Sequence, residues 1–186
     1  MNGSPLTPKH GFPVRVVTPG IAGGGGGAGS EVVEIALPCS PPEVTDSQKA
    51  EGYWGITPPV QEMPVNSSIS IPAEGSTAQR GEDGCISVAG YAVPSGDDGP
   101  VTRVEVSADG GESWTAAELI RHPEAGKWSW QLWEARVRVP EGRGEKTTLY
   151  SRATDTAGNT QPKVSQWNLR GVCYYEYGEA ADVTIT

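Results

Sequence analysis

The sequence predicts an all-β domain, an immunoglobulin-like antiparallel β-sandwich preceded by an irregular Gly/Pro-rich N-terminal segment. Three observations lead there. From Gly84 onward, short stretches of alternating apolar and polar residues recur with turn-forming residues between them. No stretch carries an apolar period of about 3.6 residues, so no amphipathic helix is expected. Glycine (25) and proline (16) together exceed a fifth of the 186 residues while apolar residues make up only 36%. That is the composition of a turn-rich β domain with a poorly structured segment attached. The length suits one domain of ordinary size plus a tail.

Taken in order, residues 1–22 hold one apolar stretch, Phe12 to Val17, interrupted by Pro13 and closed by Pro19-Gly20. Five glycines follow, Gly23 to Gly27, too costly in backbone entropy for the interior of a helix or strand. Gly24, Gly29 and Ser30 have the spacing of a phosphate-cradling loop, but the lysine such a loop requires before its Ser or Thr is missing. Residues 31–37 suggest a short strand ended by Pro38, and residues from Cys39 to about Ala50 read as a linker. The segment from Tyr53 is extended and proline-guided, with an edge strand expected over Ser67 to Ile71.

The β domain proper starts near Cys85, where Ile86 and Val88 alternate with Ser87 and Ala89. Thr102, Val104 and Val106 are expected on one face of the next strand, with Arg103, Glu105 and Ser107 on the other. Asp109-Gly110 then predicts a tight hairpin with positive φ angles, and Trp114 and Ala116 open the return strand. In WSWQLW, Trp128, Trp130 and Leu132 share one parity and Trp133, Val137 and Val139 the other, which demands a bulge or a break. Leu149, Ser151 and Ala153 mark a further strand, Asp155 to Asn159 the turn after it, and Ala181 to Ile185 the last strand.

Charge and cysteine usage exclude several functions. A net charge of −9 argues against a nucleic-acid partner. The charge is uneven, because residues 1–30 carry Lys9 and Arg15 and no carboxylate, leaving all 23 acids in residues 31–186. Cys39, Cys85 and Cys173 form no metal-binding spacing and are expected as free thiols in a reducing compartment. No apolar run reaches the roughly 20 residues of a membrane span, and no secretory signal is visible. An intracellular protein with no membrane partner is therefore expected.

Candidate chemistry is sparse. Five of the six tryptophans (Trp114, Trp128, Trp130, Trp133 and Trp167) fall in the β domain. Large aromatics in a small sandwich are core pieces and interface anchors more often than sugar platforms. His10 and His122 are far apart, and His122 precedes Pro123 in a polar loop, so no nucleophile–base constellation stands out. Asp97, Asp98, Asp109 and Asp155 all sit in turns, where aspartate is the ordinary turn former. Arg170, between Trp167 and Gly171, has the planar guanidinium that can clamp an oxyanion, though the residue alone favours a plain surface arginine.

The stretches TRVEVSADGGESWTAAEL, WSWQLW, SRATDTAGNTQP and WNLRGV, in that order, resemble the dimerisation domain of the sulfite oxidase family of molybdenum enzymes, which includes the eukaryotic nitrate reductases. PPVQEMPVNSSI resembles the segment leading into that domain, and HGFPVRVVTPG the end of the family's molybdopterin-binding domain. The resemblance divides the chain into residues 1–22, a remnant of the molybdopterin-binding domain; 23–52, a divergent linker; and 53–186, the dimerisation domain. It implies that His10 and Arg15 contact the phosphate and pterin of the molybdenum cofactor. It implies further that Arg170 reaches the substrate anion, and that the chain forms a homodimer through its β domain. The family reaction is oxygen transfer to sulfite, giving sulfate.

The chain departs from the family where residues 23–37 replace a Ser- and Lys-bearing cofactor motif, with no lysine between Lys9 and Lys49. None of its three cysteines has the context of the family's molybdenum-ligating cysteine. The expectation is a truncated member that neither holds the cofactor stably nor oxidises sulfite alone. A stand-alone immunoglobulin-like module binding an anion, sugar or protein is the alternative, and it predicts a monomer.

Overall fold

The computed structural model describes residues 49, 62–139, 146–165 and 175–186. Among the described residues nine strands form two sheets: β1 (Asn66–Ile71), β2 (Thr77–Ala78), β3 (Cys85–Val93), β4 (Val101–Ser107), β5 (Thr115–Ala116), β6 (Glu118–Ile120), β7 (Gln131–Arg138), β8 (Lys146–Asp155) and β9 (Gly178–Ile185). One sheet has the order β1-β3-β7-β6 and the other β2-β9-β8-β4-β5. All pairings are antiparallel except β2 with β9. The protein is an all-β sandwich, as the sequence predicts; β5 is the return strand expected at Trp114 and Ala116, while the very short β2 and β6 show no alternation of their own.

Period-two patterning places the core. Along β7, Gln131, Trp133, Ala135 and Val137 are buried while Leu132, Glu134, Arg136 and Arg138 are exposed. Strand β3 alternates in the same way, burying Ile86, Val88 and Ala92 against Val104, Val106, Leu149 and Val183 of the second sheet. WSWQLW contains a break and no bulge: the strand begins at Gln131, so Trp128 and Trp130 precede it and stay exposed. Trp133 is 1% exposed and contributes about 4–6 kcal/mol of gross burial, from about 150–250 Å² at about 25 cal/mol per Å². Its partner across the strands is Gly90. A Cβ there would strike both the indole and the Ser68 carbonyl oxygen, so only glycine lets the ring lie between the strands.

Two expectations about β4 and its turn are corrected. A register shift between Val101 and Arg103 turns Thr102 outward and buries Val101, so Thr102 does not share a face with Val104. Ser107 is also buried, because its hydroxyl serves the turn: it donates to Asp109 Oδ1 (2.7 Å) and accepts from the Gly111 amide (2.9 Å). The turn is wider than two residues, with Val106 pairing Thr115, and the positive φ angles fall on Gly110 (77°) and Gly111 (90°). Asp109 is the hub, accepting from the Ser113 amide (2.9 and 3.0 Å) and from the Ser113 hydroxyl. Hydrogen bonds from Ser113 and then Ser107 hold its carboxyl down at about 2.

Candidate functional site

Three of the polar residues buried inside this sandwich, Ser67, Ser151 and Gln161, converge at one place. Ser67 on β1 and Ser151 on β8 face each other across the two sheets, their hydroxyl oxygens 2.9 Å apart. Gln161, just past the turn after β8, fills the remaining space and is 2% exposed. Its Oε1 accepts from Ser67 Oγ (2.7 Å) and from the Ala153 amide (2.9 Å). Its Nε2 donates to the Glu176 carbonyl (2.6 Å) and to Asn66 Oδ1 (3.2 Å). Both lone pairs and both amide hydrogens are used, which is what a buried amide requires.

This cluster joins both sheets to residues 161–165 and 175–177. The Tyr177 amide donates to the Pro162 carbonyl (3.1 Å) and the Tyr175 amide to Ser165 Oγ (3.0 Å). The Ser165 amide reaches Glu176 Oε2 at 3.2 Å. Residues 161–165 and 175–177 thus run side by side, and Gly178 lies so close to Ser67 and Ser151 that a Cβ would strike both. Arg170 belongs to the sequence between these ends and lies outside the described residues, as do His10, Arg15, Trp167, Cys39 and Cys173.

The turn before Gln161 explains the DTAGNT stretch. Asp155, 2% exposed, accepts from the Asn159 amide and Nδ2 (both 2.9 Å) and from the Ser95 amide (3.2 Å). A buried carboxylate with three donors is satisfied and is a structural part, as the turn reading expects. His122 is exposed, its Nδ1 accepting from the Glu124 amide (3.2 Å).

A second constellation covers the outer face of the five-stranded sheet. Arg152 donates from Nε to Glu105 Oε2 (2.9 Å) and lies over the Trp114 ring, 4.0 Å from its centroid. Tyr177 meets Trp114 edge-on (5.0 Å) and Tyr150 likewise (6.4 Å). Partial burial works against the Arg152 charge, but hydrogen bonds to Glu105 and Tyr177 outweigh it and raise its pKa.

Sequence reasoning missed Gln161 and Ser67, although Ser151 had already appeared among the inward residues of its strand. A serine at a core position demands a partner, and that demand was the available signal. Among the described residues, no group of three or more His, Cys, Asp and Glu could hold a metal ion. Cys85, the one described cysteine, directs its Sγ to the Asp83 carbonyl at 3.8 Å. The described residues do not fit a molybdenum donor set. No described helix is long and apolar enough to cross a membrane.

An all-β domain of this make-up is matched over residues 57–178 by the Mo-co oxidoreductase dimerisation domain. Residues 1–26 match the oxidoreductase molybdopterin binding domain. The chain belongs to the Mo-co oxidoreductase dimerisation domain family, in a sulfite oxidase-like form. It is 37% identical to the mitochondrial sulfite oxidase of Homo sapiens over 92% of this chain and 33% of that protein. It is 36% identical to the sulfite oxidase of Gallus gallus (92% and 39%) and 37% identical to the nitrate reductase [NAD(P)H] of Hordeum vulgare (92% and 21%). The chain thus spans about a third of the length of the human enzyme. Among solved structures, the sulfane dehydrogenase SoxCD of Paracoccus pantotrophus aligns at a TM-score of 0.46 and 27% identity, over 64% of this chain and 29% of that one.

Proposed function

We propose that this chain is the subunit-pairing part of a molybdopterin-dependent, sulfite-oxidising type of enzyme, and that its β domain forms a homodimer. The observation carrying this reading is that one chain matches the molybdopterin binding domain and the dimerisation domain in sequence order. On this reading residues 1–22 belong to the cofactor domain, 23–52 link it onward, and 53–186 pair subunits. His10 and Arg15 serve as donors to the phosphate and pterin of the cofactor, and Arg170 as a bidentate donor to the substrate oxyanion. The cofactor supplies the oxygen-transfer chemistry when bound. The Gln161 cluster supports a positioning role for the β domain, because it ties the sequence on either side of Arg170 to both sheets.

Within the sandwich class the immunoglobulin-like form is supported by strand order. Setting aside β2 and β5 leaves β1-β3-β7-β6 over β9-β8-β4, the four-plus-three arrangement of that fold.

These 186 residues by themselves retain no stoichiometric molybdenum, since the described part lacks a donor set and only 26 residues match the cofactor domain. Elemental analysis of the purified chain, with an assay for sulfite-dependent reduction of an artificial electron acceptor, tests this. Trace metal and no turnover are expected. One molybdenum per chain, with turnover, contradicts it.

A further inference from the structure

One end of the sandwich carries a cleft of about 680 Å³ between the loop before β3 and the turn after β4. The loop, residues 80–84, is fixed through its backbone. The Arg80 amide donates to the Thr186 carbonyl (2.9 Å), the Gly81 amide to the Cys85 carbonyl (2.8 Å) and the Val139 amide to the Gly84 carbonyl (3.3 Å). Two arginines converge over this loop. A Cβ at Gly84 would lie 3.5 Å from Arg138 Nη1 and 4.0 Å from Arg80 Nε. Gly84 has a φ of 76°, which glycine adopts without strain, and it puts no side chain between the guanidiniums. Arg80 is oriented by one bond, from Nη2 to the Val139 carbonyl (3.2 Å), and its buried Nε has no acceptor among the described residues. Arg138, the last residue of β7, is exposed and makes no side-chain hydrogen bond or ion pair with the described residues.

The carboxylates that line the cleft do not neutralise this pair. Asp83 is taken by Arg136, whose Nη2 lies 2.7 Å from both of its oxygens. Asp109, on the far wall, accepts from Ser107 Oγ (2.7 Å) and from the Ser113 amide (2.9 Å). Glu82 is exposed and pairs with neither arginine. Two cations drawn to one point repel each other unless an anion lies between them. We propose that Arg80 and Arg138 form a binding site for a dianionic tetrahedral oxyanion, a sulfate or phosphate group, seated over Gly84. Each planar guanidinium offers such a group a parallel pair of N–H donors, and charge-assisted pairs of this kind are short and strong. The bond to Val139 sets Arg80 in place beforehand, so Arg138 is the side chain that binding must order. The site lies beside Thr186, just past the end of β9, whereas the Gln161 cluster lies at the start of that strand.

Titration of the ¹⁵N-labelled full chain with sodium sulfate, followed through the arginine Nε–Hε signals, is the test. Constant ionic strength removes general screening from the comparison. The Arg80 and Arg138 signals should shift and saturate together. Inorganic phosphate and O-phosphoserine then separate the two sources of the group: tighter phosphate assigns a free ion to the site, and tighter O-phosphoserine assigns a phosphate ester. Arg138→Gln should weaken sulfate binding by about tenfold or more, since a hydrogen bond to a charged group is worth at least that factor. The rest of its spectrum should keep the folded pattern, because Arg138 gives up no partner within the described residues. Arg121→Gln, just past β6 and at the other end of β7, removes the same charge and should leave binding unchanged. Shifts that spread over the chain without saturating overturn the site. So does sulfate binding that Arg138→Gln leaves intact, or that Arg121→Gln weakens equally.

Discussion

The two outer faces of the sandwich differ in what their aromatic residues touch. On the five-stranded sheet, Trp114, Tyr150 and Tyr177 contact one another, and Arg152 lies over Trp114 while pairing with Glu105. That face is completed from within the chain. On the four-stranded sheet, Tyr91 and Trp130 stack on each other, but Trp130, Leu132 and Ile120 are left about half or more exposed. One face is therefore held together by its own side chains, and the other far less so.

The sharpest stability effect belongs to neither face but to the cluster between the sheets. Gln161→Leu removes an amide that satisfies Ser67, Ala153, Asn66 and Glu176, and each buried group left unpaired costs about 1–3 kcal/mol. A loss of about 3 kcal/mol or more in denaturant-induced unfolding is expected. A loss below about 1 kcal/mol would mean that the sheets are held by apolar packing alone.

The faces themselves are separated by a pair of substitutions. Arg152→Leu leaves the Glu105 carboxylate, 15% exposed, without its short guanidinium contact and removes the cation from Trp114. It should cost about 1–3 kcal/mol of monomer stability. Trp130→Ala removes a mostly exposed ring and should change monomer stability by about 0.5 kcal/mol or less. The reverse pattern in chemical denaturation would break the distinction between a self-completed face and an open one.

Much of the fold is written in period-two alternation, which marks β3, β7 and β8 because each buries one side completely. The register shift in β4 is invisible to alternation, since a single extra residue moves Thr102 outward without changing the residue types. Short strands such as β2, with two residues, arise from pairing with β9 and carry no pattern of their own. Aspartate in turns was legible as turn chemistry, and Asp109 and Asp155 both bear this out. Gln161 was not, because a glutamine becomes a cross-sheet connector only through partners nearly a hundred residues away, such as Asn66.

Hydroxyl-radical footprinting of the wild-type chain tests the contrast between the faces most directly. Trp130 should be oxidised faster than Trp114, a residue of the same type that Arg152 and Tyr177 cover. Equal rates, or a faster Trp114, would contradict the assignment.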